Sequence, residues 1–398
     1  MMKSLEIKSK VKNRSDPSMN SPLPSFENHL PRRVITGRGA SQSLAALCQA
    51  NGWSRVFVVS DAGVAGAGLL RQVLQPLQAE TFVEVPPEPP IEVADTIGAC
   101  IKASGADAVI GLGGGSVMDA AKVASLCARH NKAAHEFVGI GKAGGRGLPT
   151  VLIPTTAGTG SEATFVAILT DSASGNKVGV VDPCILADIA IVDPTLTDGL
   201  PEHVTASAGM DALVHAIEGF IARVATPLAR GLALEAARRI GRSLETVCRE
   251  PGNTAARDDM AIGSHLAGMT FANSSYCAVH ALALPLGGRF HIPHGVITGC
   301  FAGEMMRHNA PACAEDFTAL ALALGWGAIE ATAFADRLEA IAEAIGLRAQ
   351  LRRTAVPGDA IAPMARDAVA IRRLIDPNPR DVIEADAARI NRAVLHAA

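Results

Sequence analysis

The sequence predicts an α/β domain built on a parallel sheet, followed by an all-α domain. Three observations carry that expectation. Short hydrophobic strands alternate with helices up to about residue 200, no strand series follows Pro201, and helical periodicity dominates from there to the C-terminus. A length of 398 residues allows two or three domains, and 48% hydrophobic residues supply their cores.

The strands come first. Arg55–Ser60 (RVFVVS) is a β-branched run that closes on Asp61, and a helix is expected over Leu69–Leu77. Thr81–Val85 is a second strand, stopped by Pro86-Pro87, and Ile91–Ala103 a helix. Ala108–Leu112 is a third strand that runs straight into three glycines, with a helix over Val117–Cys127. Pro149–Pro154 and Ala187–Val192 complete the strands. None alternates strictly, as suits a sheet covered by helices on both faces.

Beyond Asp193-Pro194 the pattern changes. Helices are expected at Val204–Arg223, Pro227–Arg249, Asp258–Ala272, Pro311–Leu324, Ala331–Ile345 and Glu384–His396. The expected division is a flexible lead-in over 1–29, an α/β domain over 30–200 and a helical domain over 201–398.

Composition narrows the function. With 36 Lys+Arg against 39 Asp+Glu, the formal charge of -3 argues against a nucleic-acid binder. Aromatic residues are only 4%, with one tyrosine, Tyr276, so base-stacking platforms are not expected. Eight dispersed cysteines without a CxxC pair read as reduced thiols. No apolar run reaches 18 residues and the N-terminus has no apolar core. A cytoplasmic protein without a membrane span is therefore expected.

Two loops carry the first chemical signal. Gly113-Gly114-Gly115-Ser116 lies between a strand and a helix, where bare backbone and free N–H groups suit a pyrophosphate. Asp119 follows in the first helical turn. The loop is not GxGxxG and is not on the first strand, so a Rossmann fingerprint is not met. Thr155, Thr156 and Thr159 lie in a second loop, TTAGTGSE, also after a strand, so both loops would face one crevice. Asp61 at the first strand end can accept hydrogen bonds from a ribose and would repel a 2′-phosphate, favouring NAD over NADP.

The second signal is a set of metal-type donors. Asp211 and His215 are four apart on an expected helix and share a face. His280 and His294 lie fourteen apart, and Gly287-Gly288 and Pro293 are expected to break any single helix between them. One carboxylate and three imidazoles suit Fe(II), Zn(II) or a similar ion. His291 competes with His294 as a ligand or active-site group, and spacing does not choose between them.

Taken together, the segments GLGGGSVMDAAK, LIPTTAGTGSE, DPTLT, GMDALVHAIEGF, HALALPLGG, PHGV and NPR resemble the iron-containing, group III, alcohol dehydrogenases from about Leu30 onward. The resemblance implies an N-terminal dinucleotide-binding domain, a helical metal-binding domain, and NAD(P) with a divalent metal in the cleft between them. It places the metal ligands on Asp211, His215, His280 and His294, and the pyrophosphate loop on Gly113 to Ser116 and Asp119. Thr155, Thr156 and Thr159 match its threonine element and Lys177 its ribose lysine. Asp61 matches the acid associated with NAD preference, and Phe271 an aromatic near nicotinamide and substrate. The implied reaction is hydride transfer between NAD and a small alcohol or aldehyde, in a homodimer. Transhydrogenation between a hydroxyacid and an oxoacid, or a maleylacetate-reductase-like reaction, is the alternative.

Two positions depart from the family pattern. Leu284 stands where many relatives carry a second histidine, HxxxHPLG, which removes a group associated with proton movement. Glu88 replaces the asparagine of a Pro-Asn-Pro turn on the adenosine side.

Overall fold

The computed structural model describes residues 25–75 and 77–396. Among the described residues, nine strands form two sheets: β1 Arg33–Thr36, β2 Val56–Val59, β3 Glu80–Phe82, β4 Ala108–Gly113, β5 Gly139–Ile140, β6 Thr150–Pro154, β7 Val166–Thr170, β8 Lys177–Val181 and β9 Ile189–Val192. The main sheet has the order β1-β9-β6-β4-β2-β3 and every pairing in it is parallel. Its inner strands β2, β4, β6 and β9 are buried along their whole length, which is why their sequences do not alternate. One hydrophobic cluster, with Ile110, Leu112 and Ile153, covers one face, and a second, with Val109, Met118 and Leu152, covers the other.

The small sheet, β5-β8-β7, is an addition to what the sequence suggested. β7 and β8 pair antiparallel about the turn Asp171–Asn176. Their apolar residues Ala167, Leu169 and Val180 pack on Val123 and Leu126 of the helix Gly115–His130. The signal was present in VAILT and KVGVV around a polar turn. β1 and the helix Leu44–Ala50 were also unread, because each is too short to show a period.

From Glu202 onward the described chain contains helices and no strand. The helix Glu202–Ile221 runs through the middle of this half, and every residue from Gly209 to Ile221 is buried. An all-round buried helix needs neighbours on every side. The helices Pro227–Arg249, Thr254–Ala272 and His294–Ala323 supply them around one continuous core. Capping follows the sequence: Thr226 with Pro227, and Asn253, open the first two, their side-chain oxygens accepting the N–H of Ala229 and Ala256.

Two expected breaks move. The helix Ala278–Phe290 passes through Pro285 and Gly287-Gly288, and the chain turns at His291, whose φ is +53°. The next helix begins at His294 rather than Pro311, with its one non-helical residue, Cys313, following Pro311. The lead-in also differs at its end. Residues 1–24 lie outside the described residues, but the Thr226 hydroxyl donates to Asn28 at 2.9 Å and the Asn273 amide donates to the His29 carbonyl at 2.9 Å. These two residues are thus anchored on the helical half.

The loop after β6 is the seam between the two halves. A Cβ on Gly158 would meet Ala208 at 2.8 Å, and one on Gly160, at φ +59°, would meet Gly268 Cα at 2.6 Å. These glycines are required by backbone packed on backbone. Buried Glu162 adds a contact, its Oε1 2.9 Å from His265 Nδ1. Six of the eight cysteines are buried.

Asp193 closes β9 and fixes the junction. Its carboxylate accepts hydrogen bonds from Gly39 N–H, from Ser41 N–H and hydroxyl, and from Thr195 N–H and hydroxyl. Burial would raise its pKa, but the Ser41 and Thr195 bonds outweigh it and hold the carboxyl below its ordinary value. A depressed folded-state pKa stabilises the fold above the unfolded-state value and is lost as pH falls through the folded one. Asp193→Asn should therefore lower stability by about 1–3 kcal/mol at pH 7. The gap to wild type should narrow as pH falls below the ordinary Asp range, read from urea midpoints. A pH-independent gap would contradict the assignment.

Candidate active site

β4 and β6 pair in register, Gly113 opposite Pro154, so the two loops that follow them leave the sheet side by side. The Thr155 N–H continues the ladder, donating to the Gly113 carbonyl at 3.0 Å. A Cβ on Gly113 would strike Val117 at 2.6 Å, and one on Gly115 would strike Thr159 at 2.9 Å. Packing thus demands glycine at both. Gly114 differs: a Cβ there would meet only Thr156, at an ordinary 3.7 Å. The backbone of Gly114 and the free N-terminus of Gly115–His130 form a bare cradle of the kind that accepts a phosphate.

The loops open onto a cleft between the two halves. Gly115, Ser116, Asp119, Thr159 and Lys177 line it from the α/β half, and Asp211, His215, Phe271, His280 and His294 from the helical half. Thr155 and Thr156 precede Thr159 in the same loop and are not among the lining residues. Asp61 caps the helix Ala62–Gly66, its Oδ1 accepting Val64 N–H at 2.9 Å, and is not among the lining residues.

Asp119 does structural duty. Its oxygens accept the Ser161 hydroxyl at 2.6 Å and the Ile168 N–H at 2.9 Å, which ties β7 to the glycine-loop helix. Fully buried Lys122 lies 3.5 Å from the same carboxylate and donates to Ser161, Thr164 and the Val166 carbonyl. A buried charge is tolerable when paired and hydrogen-bonded in this way. Lys177 lies at the start of β8, 3.1 Å from Glu88, and donates to Thr170 at 2.9 Å. Glu88 holds φ +50°, a conformation that asparagine adopts more readily.

Across the cleft, donor atoms of buried Asp211, His215 and His280 all lie within 4.8 Å of one another. His215 Nε2 is 3.4 Å from Asp211 Oδ2, and His280 Nε2 is 3.8 Å from Asp211 Oδ1. His294, half-exposed at the first turn of its helix, brings Nε2 to 3.7 Å from Asp211 Oδ1. His291 is exposed at the C-cap of the preceding helix and does not line the cleft. Of the two histidines, His294 is the one that lies beside the cluster, while the turn at His291 leaves that side chain exposed.

Glu218 sets the chemistry of the cluster. It sits seven residues after Asp211 and three after His215, on the same helical stripe. Its carboxylate accepts the N–H of Cys277 at 2.9 Å and of Val279 at 2.7 Å, and lies 2.6 Å from His280 Nδ1. Burial pushes the Glu218 carboxyl up to about 7, against these backbone bonds. Burial, with His215 and His294 adding to it, holds the His280 pKa well below the ordinary histidine value. An ionised Glu218 accepts the Nδ1 proton of a neutral His280, and the buried Nε2 has no hydrogen-bond partner among the described residues. A lone pair left open among an aspartate and two histidines fits a divalent cation. The Thr298 hydroxyl holds Asp211 in place at 2.8 Å.

Tyr276, the single tyrosine, also lines the cleft. It stacks on Phe271 at 3.4 Å and on His280 at 4.0 Å, making a flat wall beside the cluster. Leu284 lines the cleft, as does Arg373. The i+7 spacing could have revealed Glu218; no local pattern marks Tyr276 or Arg373.

Because Glu218 orients His280, Glu218→Gln should weaken Zn(II) binding by about tenfold to a hundredfold in calorimetric titration. Wild-type affinity in that variant would show that the carboxylate only fills space.

Comparison with known proteins identifies the family. Residues 31–194 match the model of the iron-containing alcohol dehydrogenases, and residues 205–395 match that of the C-terminal region of the same family. The chain is 37% identical to long-chain-alcohol dehydrogenase 1 of Geobacillus thermodenitrificans over 90% of its own length and 94% of the relative's. It is 34% identical to a sulfoacetaldehyde reductase of Bilophila wadsworthia, over 89% and 95%. The sulfoacetaldehyde reductase of Bifidobacterium kashiwanohense, solved in complex with NAD+, superposes with a TM-score of 0.87 at 27% identity, covering 94% of this chain and all of the other. The chain belongs to the iron-containing alcohol dehydrogenase family, whose members are NAD-linked oxidoreductases of alcohol and aldehyde groups.

Proposed function

We propose that this protein reduces a small aldehyde with NADH, and oxidises the corresponding alcohol with NAD, using a divalent metal held by Asp211, His215, His280 and His294. The observation that carries this is the single cleft shared by the open Nε2 of His280 and the bare glycine cradle. When bound, the metal supplies a Lewis acid for the substrate oxygen and the nicotinamide supplies or accepts hydride.

The chain's own residues do the rest. Glu218 keeps the proton of His280 on Nδ1, so Nε2 faces the cleft as a donor. Phe271 and Tyr276 present a flat apolar wall that excludes water from one side of the reacting carbon. Ser116 and the N-terminus of Gly115–His130 receive the pyrophosphate, and Lys177 the adjoining ribose, once Glu88 shares it. Asp61 at the end of β2 supports NAD over NADP by like-charge repulsion of a 2′-phosphate. Leu284 offers no proton, so proton exchange falls to water or to the ribose hydroxyls.

The test is NADH absorbance with a panel of small aldehydes and alcohols, on metal-free protein and on protein loaded with Fe(II) or Zn(II). Metal-free protein should be inactive, loading should restore turnover, and Asp211→Ala or His280→Ala should abolish it. Turnover by metal-free protein would contradict the reading. So would hydride exchange between two substrates without free NADH.

A further inference from the structure

Two side chains of fixed positive charge, Lys177 and Arg373, line the cleft. Lys177 is neutralised by Glu88 at 3.1 Å. Arg373 has no carboxylate at ion-pair distance among the described residues, while its neighbour Arg372 is paired with Asp376. The acids that line the cleft are committed elsewhere: Asp119 to Lys122, Asp211 to the histidines and Thr298, Glu88 to Lys177.

Arg373 belongs to the metal end of the cleft. Its short helix, Arg372–Ile375, packs on the helix that carries His280 and Leu284. Its charge acts on both Tyr276 and His280. The groups around it, Leu284, Leu374, Phe271 and Tyr276, offer no countercharge. Leu284 matters here: with a leucine at that position, Arg373 is the one fixed charge presented to whatever lies beyond the reacting carbon. Arg373 is an exposed residue on the cleft lining, and its guanidinium stays cationic and open to an incoming anion.

We propose that Arg373 receives an anionic group at the far end of the substrate, which makes the preferred substrate a short aldehyde or alcohol bearing a carboxylate, sulfonate or phosphonate. This rests on the hydride-transfer reading above and narrows it. A guanidinium fork matches the paired oxygens of all three anions. Holding the remote end in this way fixes the carbonyl end beside the cluster, so that binding energy is used for orientation.

The experiment compares aldehydes of equal chain length, one neutral and three ending in carboxylate, sulfonate or phosphonate, on the metal-loaded enzyme with NADH. The selectivity ratio is kcat/KM for an anionic aldehyde over that for the neutral one. It should favour at least one anion, fall by about tenfold to a hundredfold in Arg373→Ala, and recover in part in Arg373→Lys. The anion with the highest ratio identifies the natural group. As a readout besides turnover, propionate, ethanesulfonate and ethylphosphonate should inhibit wild type competitively against aldehyde and lose that inhibition in Arg373→Ala. Preference for the neutral aldehyde, or a ratio unchanged in Arg373→Ala, overturns the proposal and leaves the oxidoreductase reading standing. No reduction of any aldehyde overturns both.

Discussion

Asp211, His215 and Glu218 lie on one stripe of a helix that is buried on every side from Gly209 to Ile221. Removing a carboxylate from water without a partner is costly, and breaking a buried ion pair costs about 3–5 kcal/mol. The helical half is arranged around meeting that cost. Glu218 is met by two backbone N–H groups at the start of the helix Ala278–Phe290 and by His280 from its first turn. Asp211 is met by Thr298 and approached by three imidazoles. His280 Nε2, which faces Asp211, is left without a hydrogen-bond partner among the described residues. The arrangement is complete only with a cation, so the same constraint governs both the packing of this half and its chemistry.

The α/β half brings the second reactant to the same place by register. Parallel pairing of β4 with β6 sets their two loops side by side, and the loop after β6 is pressed against the helical half through Gly158 and Gly160. The Asp119–Lys122 network then fixes the small sheet against the glycine-loop helix, which brings Lys177 to the cleft wall. The cleft is therefore a product of backbone contacts, with side chains added to its walls. A Cβ at Gly268 would meet the Gly160 carbonyl at 2.6 Å, so the width of the cleft and the packing of the seam cannot change independently.

Much of this was legible in the sequence, for identifiable reasons. Long periodic helices such as Pro227–Arg249 and short apolar strands such as Ala108–Leu112 carry their own signal. The four proposed ligands were found because they sit in dense motifs, and three of them converge in the structure with the fourth beside them. What escaped depends on contacts across the chain. Glu218 meets His280 over sixty-two positions, and Glu162 meets His265 over more than a hundred. Asp119 lines the cleft, but its role in holding β7 could not be inferred without β7. Gly287-Gly288 suggested a break that occurs at His291, since glycines inside a well-packed helix cost only about 1 kcal/mol each.

The central claim is that a divalent cation belongs between Asp211, His215, His280 and His294. It is tested most directly by crystals of metal-loaded protein measured at the metal's absorption edge. The account predicts one strong anomalous peak within bonding distance of His280 Nε2 and the Asp211 carboxylate. A peak elsewhere, or an empty cluster in protein that turns over aldehyde, would contradict it.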